Sequence, residues 1–260
     1  MKILLLFKYY LSLGFILHSK IKSRQPKADM AKIAIIPARS GSKRIPKKNF
    51  LEINGKPMVS HAIDLAESTD LFDEIVVSLD SHGEDQLFKS EAVALHYRPN
   101  DLGKDDATTI DVIRDVIIQR GYSESDLICC LYPASFLLAK ERITQTLSIL
   151  ESNPHRFVFT AQPVYSHPLR AFVHNKDKNL IEFLDSSALK YKTQDLKTFY
   201  SDAGQLYWGQ QATWEQEKEI LNALSVPLIL NRWETIDIDY PEDIELALKM
   251  LMGKREGEAL

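Results

Sequence analysis

The sequence predicts a doubly wound α/β domain built on a mainly parallel sheet. Short β-rich apolar runs alternate with amphipathic helical stretches from Lys32 onward, which is the pattern of parallel strands joined by covering helices. A basic loop follows the first run directly, where such sheets place their ligands. The chain has 260 residues, 45% hydrophobic and 26% charged, which suits one large domain, or one domain with a smaller appendage, and a core that needs no disulfide or structural metal.

Lys32 to Ala38 reads as a buried parallel strand. Pro57 to Ser68 carries Met58, Ala62, Leu65 and Ala66 at helical spacing, with proline near the start. Glu74 to Leu79 is the second strand, and Glu84 to Ala92 reads as a helix. Thr108 to Arg120 forms another helix, with Ile110, Ile113, Val116 and Ile117 on its apolar face. Leu127 to Leu131 is a third core strand, Ala139 to Leu150 a helix and Phe157 to Ala161 a fourth strand. Ser225 to Leu230 is a later strand. Pro241 to Met252 is the last helix, with Glu242, Asp243 and Glu245 near its positive end. Residues 163–215 break the rhythm with Pro163, Pro168 and scattered aromatics. They read as an inserted, partly β segment that covers the site and pairs with a second subunit, so a homodimer is expected.

Residues 1–29 are set apart from the body, residues 30–255. They hold six Lys or Arg and one acidic residue, which leaves 26 basic and 35 acidic residues beyond them. A body this acidic argues against broad nucleic-acid binding, so an anionic ligand must be held by local basic residues and metal ions. Lys8 interrupts the apolar run, no small-residue cleavage site follows, and the run is short for a membrane span. Translation from Met30 is the preferred reading, and a weak membrane-associating extension the second. The adjacent Cys129 and Cys130 lie in an apolar run and read as buried reduced thiols, consistent with a cytoplasmic location.

The loop Pro37-Ala38-Arg39-Ser40-Gly41-Ser42-Lys43-Arg44-Ile45-Pro46-Lys47-Lys48-Asn49 holds five basic residues around a Ser-Gly-Ser core. Gly41 lets the backbone turn and present amides to an anion, and Arg and Lys neutralise a polyphosphate. Neither the P-loop pattern nor GxGxxG is present. Asp237 and Asp239, two apart on an extended segment, point to one side, and hard oxygen ligands of this kind suit magnesium with waters and substrate phosphates. Thr108 and Thr109 are natural helix caps in a position that is also compatible with ligand contact. Tyr132, after the third core strand, is either a ligand contact or a core aromatic with a wet hydroxyl.

The loop resembles the PAR-x-GS-K-x-IP-x-KN signature of the CMP-sugar synthetases, the acylneuraminate and related cytidylyltransferases. Similarity extends to Arg98-Pro99 with Leu102 and Asp105 to Thr109, to Cys130 through Phe136, and to Ile236-Asp237-Ile238-Asp239, which resembles the family's D-I-D-T-x-x-D metal motif. Gln194-Asp195-Leu196 with Tyr200 through Gly209 resembles the SQDL…HDAGQ-x-YWG stretch of the family's pseudaminic acid branch. Ser201 stands there for a usual His and Lys192 for a usual Arg. The resemblance covers roughly residues 32–250.

It implies a nucleotide-diphospho-sugar transferase-like, Rossmann-type sheet and transfer of CMP from CTP to a nine-carbon acidic sugar, with pyrophosphate released. Arg39 and Lys43 then grip the triphosphate, assisted by Ser42 and the amides of Ser40 and Gly41. Asn49, Arg98, Thr108, Thr109 and Tyr132 contact the nucleotide, and Asp237 and Asp239 hold Mg2+. Arg170, Lys192, Gln194, Asp202 and Gln205 fall to the sugar side, although Arg170 and Lys192 equally suit exposed surface cations. No His falls in these motifs, which points to metal-assisted deprotonation of the sugar hydroxyl. Related acidic sugars (N-acetylneuraminate, legionaminate, 3-deoxy-manno-octulosonate) remain alternatives. So does a catalytically inactive nucleotide-sugar binding protein, while an NAD-linked oxidoreductase is disfavoured by the missing GxGxxG.

Overall fold

The apolar runs become strands because each is short, rich in β-branched residues and bounded by turn residues. In a computed structural model, which describes residues 30–88, 93–104 and 106–255, the strands are β1 (Lys32–Ala38), β2 (Glu52–Ile53), β3 (Lys56–Pro57), β4 (Glu74–Leu79), β5 (Val93–Tyr97), β6 (Leu127–Leu131), β7 (Val158–Pro163), β8 (Phe172–Asn175), β9 (Leu180–Phe183), β10 (Tyr200–Gln210) and β11 (Val226–Ile229). The helices are α1 (Met58–Glu67), α2 (Thr109–Arg120), α3 (Lys140–Ser152), α4 (Gln211–Gln216) and α5 (Pro241–Arg255). The expectations for residues 1–29 and for Asp105 lie outside the described residues.

Seven strands form one sheet in the order β11-β7-β10-β6-β1-β4-β5. All its pairings are parallel except those of β10, which runs antiparallel to both β6 and β7. Alternation along the central strands divides the core. Ala34, Ile36, Leu127 and Cys129 pack with Val59 and Ala62 of α1 and with Ile143 and Leu147 of α3 on one face. Ile33, Ile35, Ile128 and Cys130 pack with Ile110, Ile113 and Val116 of α2 and with Trp214 of α4 on the other. Side chains that alternate with a period of two can bury both faces only if helices cover both, which is the doubly wound arrangement. Both cysteines are buried and free, and burial pushes the Cys129 and Cys130 thiols well up.

A third cluster brings together the site described below. Ile45 of the basic loop packs with Ile236 and Ile238, with Phe136 and Leu137 beyond β6, and with Ala247 and Leu251 of α5. Segments nearly 200 residues apart in sequence are thus held on one apolar seam.

Two expectations need correcting. Of the helix read over 84–92, the described residues 84–88 form only a 3-10 turn at Asp85–Leu87, residues 89–92 lie outside the described residues, and the chain resumes as edge strand β5, paired with β4. Residues 163–215 are not one inserted segment, because β10 lies in the middle of the main sheet. Its register shifts between Asp202 and Tyr207, and Gly204 adopts φ 62°, so no clean period of two is visible in its sequence. The part outside the seven-stranded sheet is an arm, residues 164–199, carrying the hairpin β8–β9. No described helix is long and apolar enough to cross a membrane.

Candidate active site

A cavity of about 600 Å³ opens at the carboxyl edge of the sheet. Its walls are Arg39, Ser42, Lys43, Arg44, Lys48 and Asn49 from the loop after β1, Arg98 after β5, and Lys104, Thr108 and Thr109 at the start of α2. Tyr132 and Pro133 after β6, Gly204 in the β10 bulge, and Asp237 and Asp239 complete it. Six cationic side chains face two carboxylates there, so the cleft is locally positive within an acidic body and suited to a polyanion. None of its lining residues is a histidine.

The basic loop is held from both ends. Asn49 Nδ2 donates to the Arg39 carbonyl at 3.0 Å and closes it. The Ser40 N–H lies 2.9 Å from both carboxylate oxygens of Asp80, and the Gly41 N–H lies 3.4 Å from Oδ2. These are the amides expected to meet a phosphate, but they are engaged by Asp80, and Ser40 and Gly41 do not line the cavity. Asp80 has this position because it follows β4, the neighbour of β1 in the sheet. Its place at a strand's carboxyl end was the only signal of its role in the sequence. Lys47, left-handed at φ 53°, turns away to Glu84 at 3.0 Å, and the Lys47 hydrogen bond holds the Glu84 carboxyl below its usual range.

Arg98 is anchored from below. Its Nε donates to Ser78 Oγ at 3.0 Å and its Nη2 to the Ser78 carbonyl at 3.1 Å. Burial lowers this guanidinium to about 10, with Asp80 opposing the fall and Arg39 adding to it, so it stays cationic at neutral pH. Thr108 caps α2 in a capping box with Asp111 and also lines the cavity, so capping and exposure to a ligand coexist. The hydroxyls of Thr109 and Tyr132 are hydrogen-bonded to each other. Burial raises the Tyr132 phenol far above its ordinary value, so it acts here as a neutral group.

The acidic wall is built by alternation. Ile236 and Ile238 are buried in the third cluster, while Asp237 and Asp239 line the cavity. Arg44 Nη2 lies 2.7 Å from Asp239 Oδ1 and Lys48 Nζ 3.7 Å from it, and Lys48 also donates to the Ile238 carbonyl at 2.7 Å. Enclosure by the cavity wall and the charge of Asp239 raise the Asp237 carboxyl. The segment docks on the β10 bulge: Thr235 Oγ1 donates to the Ala203 carbonyl at 3.2 Å, and Gln205 Nε2 donates to the carbonyls of Ala203 and Ile236 at 3.1 and 3.3 Å. Among the described residues, no group of three or more His, Cys, Asp or Glu side chains is arranged around a metal position. A dication here would take two carboxylates from the protein and its other ligands from water and phosphate, a donor set that fits magnesium.

The residues assigned to the sugar are not gathered in this cavity. Gln205 is buried beneath it, where its amide ties β10 to the acidic wall. Asp202 accepts the Tyr207 hydroxyl at 2.6 Å and the Gly204 N–H at 3.0 Å, and so braces the bulge. Arg170, Lys192 and Gln194 lie on the arm, where Arg170 donates to the Tyr191 carbonyl. Arg44, Lys48 and Lys104, which carried no individual assignment, do line the cavity.

The sequence profile of the cytidylyltransferase family matches residues 33–255. The chain belongs to the cytidylyltransferase family. The match spans the whole described body apart from its first residues, so both walls of the cleft fall inside it. Among its relatives, the pseudaminic acid cytidylyltransferase of Campylobacter jejuni is 34% identical over 221 residues, covering 84% of this chain and 95% of that protein. An N-acylneuraminate cytidylyltransferase of Streptococcus agalactiae is 29% identical over 216 residues, 82% of this chain and 52% of that one. Among solved structures, a CMP:2-keto-3-deoxy-manno-octonic acid synthetase complexed with CTP superposes with a TM-score of 0.62 at 17% identity, over 86% of this chain and 99% of that one. At that identity the likeness concerns the fold alone, and it agrees with the mainly parallel nucleotidyltransferase sheet. This cytidylyltransferase carries its cleft where that sheet type places ligands.

Proposed function

We propose that this cytidylyltransferase transfers CMP from CTP to the anomeric hydroxyl of pseudaminic acid, a nine-carbon acidic sugar, and releases pyrophosphate. The observation that carries the reading is the cleft itself, where a cationic loop after β1 faces the Asp237–Asp239 pair across a cavity at the sheet's carboxyl edge. The identity of 34% to a pseudaminic acid cytidylyltransferase favours that sugar over N-acylneuraminate.

In this reading the sugar oxygen attacks the α-phosphorus. One P–O bond forms, the bond to the β-phosphate oxygen breaks, and the hydroxyl proton is lost to solvent. Arg39 and Lys43 bind the β- and γ-phosphates and stabilise the charge that collects on the leaving pyrophosphate. Arg98, Asn49, Thr108, Thr109 and Tyr132 orient the nucleoside end, which makes the attack effectively unimolecular. Asp237 and Asp239 would hold Mg2+, which supplies charge neutralisation at the phosphates and acidifies the attacking hydroxyl.

The arm supports a homodimer. Phe172, Ile181 and Phe183 are exposed on one face of its hairpin, and an apolar patch of this kind suits burial against a second copy. Arg170, Lys192 and Gln194 would then meet the sugar from the arm. The lack of a membrane-length helix among the described residues and the two reduced thiols fit a cytoplasmic enzyme.

Pyrophosphate release is the test, with CTP and magnesium and each acidic sugar in turn. Release with pseudaminic acid alone is expected. Release only with N-acylneuraminate would keep the reaction and overturn the sugar, and CTP binding without release with any sugar would overturn the reaction.

A further inference from the structure

Beneath Arg98 lies a buried chain of polar groups that no part of the reaction above uses. Ser78 on β4 and His96 on β5 are both buried, with 0% and 3% exposure, and Ser78 Oγ lies 3.0 Å from His96 Nδ1. On the other side of the ring, His96 Nε2 lies 2.9 Å from Asp115 Oδ2 on α2, off the line of a straight ring N–H bond. Gln119 Nε2, one turn along, donates to the same carboxylate oxygen at 3.0 Å.

The donors can run in one direction only. Arg98 Nε can only donate, so Ser78 Oγ accepts it. The Ser78 proton then needs its own acceptor, since a buried hydroxyl left without one is costly. His96 Nδ1 supplies it if the ring carries its proton on Nε2, the nitrogen that faces Asp115. Burial pushes the His96 imidazole down, with Asp115 opposing and Arg98 adding to the fall, which keeps the ring in the neutral form this direction requires.

We infer that Ser78, His96 and Asp115 form a relay of positioning residues that fixes the Arg98 guanidinium in the nucleotide cleft. Two strands and the helix that opens with Thr108 and Thr109 are thereby locked to one cation. The need for such a lock is geometric. Arg98 is buried between the opposing charges of Asp80 and Arg39, which pull on the guanidinium in opposite senses, so hydrogen bonds decide where it rests. A single hydrogen bond from a rotatable serine hydroxyl would hold it loosely, whereas a hydroxyl whose proton is committed to His96 presents its lone pair in one direction.

The inference rests on the reading of Arg98 as a nucleotide contact, and its test separates the two. In the full chain, hydrogen exchange at the arginine Nε–H groups is followed by 15N NMR, the Arg98 signal being the one lost in Arg98→Ala. Ser78→Ala and His96→Leu should each speed Arg98 exchange by about tenfold or more, and His96→Asn, whose amide oxygen can still accept from Ser78, should restore most of the protection. The KM for CTP should rise about tenfold in His96→Leu with kcat within about twofold, the pattern of lost binding energy. In an Arg98→Ala background His96→Leu should add less than about twofold. Unchanged exchange, or a full additional loss in the Arg98→Ala background, overturns the relay. If Arg98→Ala leaves CTP affinity unchanged while His96→Leu still speeds exchange, the relay stands and the nucleotide role of Arg98 falls.

Discussion

Along the cleft, the candidate side chains stand on loops and helix ends anchored to the buried core, whereas across residues 164–199 the short strands β8 and β9 leave Phe172, Val173, Leu180 and Ile181 exposed. The cleft is assembled within one chain by the seven-stranded sheet and the seam of Ile45, Ile236 and Ile238. The arm makes a two-stranded hairpin, which is marginal by itself and shows apolar side chains on both faces, Phe172 and Ile181 on one and Val173 and Leu180 on the other. The difference teaches that the two halves of the proposed reaction are supported differently. The residues proposed for nucleotide and metal are preorganised by the core, while those proposed for the sugar on the arm, Arg170, Lys192 and Gln194, depend on whatever covers it.

The sharpest division comes from Asp239→Ala. It removes half of the acidic pair and should lower kcat by about 10²–10⁴ while leaving assembly unchanged. Steady-state pyrophosphate release and sedimentation on one sample measure both, and near-normal turnover would discard the metal assignment. Charging the arm with Phe172→Glu and Ile181→Glu should do the reverse. The chain should sediment as a monomer, CTP affinity should stay within about twofold, and sugar KM should rise, because charge depletion at an interface core is what these substitutions undo. A chain that sediments as a monomer before any substitution would break the comparison.

Gly209→Ala probes the frame behind the cleft and should have the smallest effect. A Cβ at Gly209 would lie 2.9 Å from Phe157 Cε1 and 3.1 Å from Trp214 Nε1, rings that pack edge to face at 4.8 Å. Overpacking of this kind costs about 1–3 kcal/mol, read as a shift of the urea midpoint with turnover per folded molecule preserved.

Much of this was legible in the linear sequence. β1, β4 and β6 have the bounds read from their apolar runs, because a strand buried on both faces must be apolar throughout. Arg39, Lys43, Arg98, Thr108, Thr109, Tyr132, Asp237 and Asp239 are all singled out and do share one cavity: the first three and Tyr132 follow strands, the two threonines stand at the start of α2, and the aspartates reach it on an extended segment before α5. β10 was not legible, because its bulge at Gly204 erases the period of two and its antiparallel place between β6 and β7 depends on partners 75–83 and 37–50 residues away. Local chemistry was also misleading where a tertiary partner intervened. The amides of Ser40 and Gly41 suit a phosphate by residue type, and only the sheet order brings Asp80 to them first.

By itself, then, the sequence determined which side chains could do the chemistry and on which kind of sheet, because periodicity and charge are local properties of a chain. The tertiary structure alone decided which of those side chains meet. Gln205 became a brace beneath the cleft, and Lys47 was drawn off to Glu84. His96 was placed behind Arg98, since strand order and burial rank partners by distance in space, and residues such as Ser78, His96 and Asp115 carry no mark of one another along the chain.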